Sequence, residues 1–106
     1  MTDKAAIDRD GLARLADLAG GDEAFVDELV DTYLLDGHDK VARLRDAAGR
    51  SDVASLVMAA HSLKTNSANV GATRVADLAR ALEAGARTGP VADAAPRVEA
   101  IAEAFE

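Results

Sequence analysis

An imidazole and an ammonium, two groups that can handle phosphoryl chemistry, stand three positions apart in the segment Ala60-His61-Ser62-Leu63-Lys64-Thr65-Asn66-Ser67-Ala68-Asn69-Val70-Gly71-Ala72. A neutral imidazole is nucleophilic near pH 7, because its unperturbed pKa is about 6.5. It can attack a phosphoryl group presented by another molecule without a strong base to activate it. An ammonium one helical turn on can meet the equatorial oxygens of the phosphoryl in flight, where negative charge accumulates. Thr65 and Ala68 are small enough to let another protein's active site approach closely. Catalysis here would be mostly positioning. From spacing alone, the commoner reading is a solvated histidine with a commonplace lysine neighbour.

The helix that carries these residues sets their faces. With Val53, Leu56, Ala60, Leu63, Ser67 and Val70 as its buried stripe, His61 falls about 115° from the stripe's centre, outside the core at the flank. Val57, Met58, Lys64, Thr65 and Ala68 lie three or four positions away and surround it on one surface. Met58 falls nearly opposite the stripe and is expected to be exposed. With Val57 and Ala68 it makes a modest apolar docking patch. Lys64 is expected to be exposed as well.

Five helical segments are expected, this one among them. Ile7 to Leu18 carries Leu12, Leu15 and Leu18, and Gly20-Gly21-Asp22 ends it and supplies an aspartate cap. Asp22 to Ala48 carries a long stripe of Val26, Leu29, Val30, Tyr33, Leu34, Val41 and Leu44. Gly37 inside it is expected to serve a close helix contact. Gly49-Arg50-Ser51 is the next break, with Ser51 as N-cap of the helix that runs to Val70. Ala72 to Arg87 follows with Val75, Leu78, Ala79 and Leu82, and Thr88-Gly89-Pro90 turns the chain. Val98, Ile101, Ala102 and Phe105 form the last stripe, and Pro96 belongs near that helix's start or at a bend. Short connections make sequential helices antiparallel neighbours. The expected fold is all-α, an up-down-up-down four-helix bundle with a short N-terminal capping helix, residues 1–106 forming one domain.

His61, Leu63, Lys64, Ser67, Gly71 and Ala72 together resemble the signature of histidine-containing phosphotransfer domains. Gly20-Gly21-Asp22-Glu23-Ala24-Phe25 and the acidic second helix look like the region preceding that signature in bacterial members, so the resemblance covers essentially the whole chain. It implies a helical bundle whose exposed His61 accepts a phosphoryl group from a receiver-domain aspartate and passes it to another receiver. Lys64 would then stabilise the phosphoryl charge, and Val57, Met58, Thr65 and Ala68 would face the partner. The implied partners are response-regulator receiver domains and a hybrid sensor histidine kinase, with Mg2+ supplied by the receiver and no cofactor of the chain's own. Thr65 stands where the family most often has glycine, which bears on partner choice and transfer rate.

Composition limits the alternatives. A formal charge of −7 argues against nucleic acid, which needs a basic face. The absence of cysteine excludes disulfides and thiolate metal sites. With no charged-then-apolar leader and no apolar run near 18 residues, the expectation is a soluble cytoplasmic protein off the membrane, and with no self-complementary apolar face evident, a monomer. The start at Met1 and the finish at Phe105-Glu106 lead us to expect a free-standing protein. No glycine-rich loop with lysine and hydroxyl is present to cradle ATP, so a carrier is expected and not a kinase. His38 has no convincing metal-ligand partner and reads as a surface histidine. Arg74, Arg80 and Arg87 read as solubilising an exposed face together with Asp77 and Glu83. A second class stays open: a non-catalytic helical module that binds or regulates a signalling partner. A sensor-kinase dimerisation domain fits less well, because Ser62 follows His61 where an acidic residue would be expected and the nearest following proline is Pro90.

Overall fold

The computed structural model describes residues 9–89 and 91–105. Its helices are α1 (Arg9–Leu18), α2 (Glu23–Gly49), α3 (Val53–Asn69), α4 (Thr73–Arg87) and α5 (Ala94–Ala104), with no strand among the described residues. The expected start at Ile7 and the Leu12 side chain lie outside the described residues. Helices α2 to α5 close into a four-membered ring in which α2 and α4 each pack against both α3 and α5. The ring is the expected bundle. Val30, Leu44, Leu56, Leu63, Val75, Leu82, Val98 and Ile101 are fully buried at its centre. Leu29, Val53, Val70, Leu78 and Ala102 pack half-buried around them. No helix among the described residues is long and apolar enough to cross a membrane.

Local chemistry fixes where each helix starts. The Asp22 carboxylate accepts the Phe25 amide at 3.1 Å and caps α2 as expected. The cap of α3 is Asp52 and not Ser51: its carboxylate accepts the Ser55 amide at 3.1 Å and the Ser55 hydroxyl at 2.8 Å. Ser51 has φ 53°, a left-handed turn conformation, so the capping geometry falls to the next residue. Pro96 is the third residue of α5, where the missing amide breaks no helical hydrogen bond.

Two close approaches lock the bundle. A Cβ at Gly37 would run into the Phe105 ring, so this glycine is the socket that admits the end of the chain to α2. Phe105 stacks on Tyr33 with ring centroids 5.5 Å apart. Tyr33 in turn shares a buried 2.6 Å hydrogen bond with Ser67 of α3, and burial pushes its phenol up to about 12. At the other lock the backbones of Gly11 and Gly71 meet, seating α1 on the α3–α4 turn. Leu15 is buried there, but Leu18, expected in the same stripe, is 78 % exposed. It stands at the last turn of α1, past that contact and on the rim of a shallow hollow shared with Asn69 and Val70.

Candidate functional site

The seam between α3 and α4 positions the chemistry. His61 projects from the middle of α3 with 55 % of its side chain exposed, as the 115° offset requires. Its Nδ1 lies 2.9 Å from Oε2 of Glu83, a residue of α4 whose side chain is only 6 % exposed. Lys64 brings its Nζ to 2.7 Å from Glu83 Oε1. Arg87, one turn beyond Glu83, donates to Oε2 from Nη2 at 2.6 Å and from Nε at 3.0 Å. The Lys64 ammonium is the main cause that holds the Glu83 carboxyl at about 2. Burial opposes it, and Arg87 and His61 add to the lowering.

This arrangement fixes the state of the ring. An ionised carboxylate can only accept, so Nδ1 must carry the proton that bridges to Glu83. In the neutral imidazole Nε2 is then the bare nitrogen, and its lone pair belongs to the half of the ring away from the carboxylate. Two cations share one carboxylate, which leaves the cluster with a net positive charge next to a nucleophile.

The neighbours expected around His61 are on the same surface. Met58 is 73 % exposed, Thr65 and Ala68 are exposed, and Val57 is half-buried at the edge of the core. Lys64 corrects the expectation of a free side chain: it is 27 % exposed and ion-paired. Its offset from the buried stripe is roughly 60°, on the side where α4 packs, so its ammonium reaches the seam. Glu83 and Arg87 are corrected too. They read from sequence as a solubilising pair, yet Glu83 is buried and Arg87 is bound to it. The available signal was an acid directly after Leu82, beside the apolar stripe of α4, with an arginine four residues on.

The remaining candidates do not join the site. His38 lies on α2, exposed, with its ring 5.7 Å from that of Phe105. Arg80 pairs with Asp77 at 2.7 Å in solvent, as expected for a solubilising face, and Arg74 is exposed. No cluster of metal-ligating side chains occurs among the described residues.

The sequence model of the Hpt domain matches residues 28–106. Among solved structures, the chain is similar to the crystal structure of histidine-containing phosphotransfer protein B (HptB) from Pseudomonas aeruginosa PAO1. The TM-score is 0.83 at 31 % sequence identity, over 93 % of this chain and 84 % of that one. No curated protein sequence matches. A bundle of this shape, spanned from α2 to its end by the family's own pattern, carries one conclusion: the chain belongs to the Hpt domain family, as a histidine phosphotransfer protein of phosphorelays.

Proposed function

We propose that His61 is the phosphoacceptor, taking the phosphoryl group from a receiver-domain aspartyl phosphate and passing it to a second receiver. The observation that carries this reading is the bond from His61 Nδ1 to the buried Glu83, which leaves Nε2 as the nucleophile on a half-exposed ring. In the forward step the Nε2 lone pair attacks phosphorus and the aspartyl P–O bond breaks, returning the receiver's carboxylate. No proton has to move. The ring keeps its Nδ1 proton and becomes cationic, and Glu83 offsets that charge. The same protonated ring is a good leaving group, so the step runs backwards to a second aspartate with little penalty.

Lys64 stabilises charge on the transferring phosphoryl. Val57, Met58, Thr65 and Ala68 form the surface on which a receiver docks, Met58 supplying adaptable apolar contact and Ala68 the clearance. The Thr65 hydroxyl narrows that approach relative to glycine and tunes which receivers fit. Mg2+ comes with the receiver, and the chain needs no cofactor of its own. The partners are response-regulator receivers and a hybrid sensor kinase, met in the cytoplasm by a monomer of this chain.

Incubation with a phosphorylated receiver and Mg2+ tests the proposal. The expected product is an acid-labile, base-stable phosphate on the wild-type chain, missing from His61→Gln. Stable complexes with cognate receivers but no transferred phosphate would instead make the chain a non-catalytic interaction module.

A further inference from the structure

Lys64 is already engaged before any phosphoryl group arrives. Its ammonium is held 2.7 Å from Glu83 Oε1 in the α3–α4 seam. The phosphoryl group would arrive on Nε2, at the other end of the imidazole from the Glu83 contact. When Lys64 turns to that group it gives up Glu83, and a buried carboxylate deprived of its counter-ion is strongly disfavoured. Arg87 removes the obstacle. It holds Oε2 by two donors, at 2.6 and 3.0 Å, while Lys64 holds Oε1. The carboxylate therefore stays compensated when one cation departs.

We infer that Glu83 and Arg87 form a latch for Lys64: Arg87 is a positioning residue that keeps Glu83 paired so that Lys64 can switch from Glu83 Oε1 to the phosphoryl group on His61. The inference rests on His61 being the phosphoacceptor. Charge balance supports the exchange. With a neutral ring the cluster of Glu83, Lys64, Arg87 and His61 carries one net positive charge, which draws a phosphoryl anion towards a chain of net charge −7. With the phosphoryl dianion on Nε2 and the proton kept on Nδ1, the same cluster is neutral. The arriving group supplies the new partner for Lys64, and Arg87 inherits the old one. Arg87 acts only through Glu83 and touches no reacting atom.

Phosphoramidate is the probe, because it needs no receiver: its P–N bond breaks, ammonia leaves, and phosphorus bonds to Nε2. Initial rates are read by intact mass for wild type, Lys64→Ala, Arg87→Gln, Arg87→Lys, Lys64→Ala with Arg87→Gln, and Glu83→Gln with Arg87→Gln. Each variant's melting curve is recorded beside its rate. Arg87→Gln is expected to slow labelling roughly ten- to hundredfold, the scale of one charge-assisted hydrogen bond, because Lys64 stays on Glu83. Arg87→Lys should keep most of the rate. The double variant lacking both cations should be no slower than Lys64→Ala alone. Adding Glu83→Gln to Arg87→Gln should raise the rate severalfold above that of Arg87→Gln alone, since the amide oxygen still accepts from Nδ1 and releases Lys64. It should not reach the wild-type rate, because the charge that offsets the cationic ring is gone. Additive losses without rescue by Glu83→Gln would overturn the latch while leaving His61 as phosphoacceptor. A wild-type ring that takes no phosphate from phosphoramidate or from any phosphorylated receiver would overturn both readings.

Discussion

At the scale of single residues, the site depends on one carboxylate with donors on both oxygens. Glu83 is buried, ionised and held at about 2, against an ordinary value of 4.5. A carboxyl whose pKa is lower folded than unfolded adds stability that is complete above 4.5 and lost as pH falls towards 2, because only the unfolded chain gains the proton early. The groups facing it are the Lys64 ammonium, the Arg87 guanidinium and Nδ1 of His61. Urea unfolding midpoints of wild type and Glu83→Gln should therefore differ from pH 7 to pH 5, converge below 4.5 and coincide near 2. A gap that persists at pH 2 would mean that Glu83 does not stabilise the bundle as a carboxylate. His61 was legible in the sequence because its own helix places it, by angle alone, outside the core. The bond that orients it was not, because it comes from an acid 22 residues away whose burial depends on how α4 meets α3.

Among elements, helix interiors follow local propensity until a neighbour intervenes, and two glycines separate those regimes. Gly37 in α2 and Gly85 in α4 are both helical, and alanine at either would gain about 1 kcal/mol in helix propensity. A Cβ at Gly85 meets only a Val91 methyl at 3.9 Å, an ordinary contact. A Cβ at Gly37 overlaps the Phe105 ring and would lever it off Tyr33. Thermal melts should show Gly85→Ala stabilised by about 0.5–1 kcal/mol. They should show Gly37→Ala destabilised by about 1–3 kcal/mol, overpacking outweighing propensity. Equal shifts in the two variants would mean that the Phe105 seat contributes nothing. The sequence pointed to a close contact at Gly37, since only packing explains a glycine amid an apolar stripe. Its partner was hidden because nothing local to Gly37 names a ring at the other end of the chain. The α3 cap failed more narrowly: Ser51 and Asp52 are both good capping residues, and the choice lay in the left-handed backbone of Ser51, which composition does not encode.

For the whole molecule, the ring of α2 to α5 holds the core and the His61 seam, while α1 touches it at one end. Periodicity made all five helices legible, because each carries its own stripe and each break is marked by glycine or proline. The seat of α1 was legible only as a cap, since its contact is a backbone approach of Gly11 to Gly71 that no side-chain pattern announces. That division predicts what removing α1 does. Deleting residues 1–18 takes away buried Leu15 and uncovers the α3–α4 turn, but leaves Leu44, Leu56, Leu63, Leu82 and Ile101 with their neighbours from α2 to α5. The cost should be about 2–5 kcal/mol, the scale of losing one large buried side chain with its cavity unfilled. The shortened chain should remain helical by circular dichroism and melt in a single transition at lower temperature, and its His61 should still take phosphate. Loss of the cooperative transition would make α1 part of the core. Retained cooperativity without phosphorylation would tie α1 to the seam, because Gly71 joins α3, which carries His61, to α4, which carries Glu83.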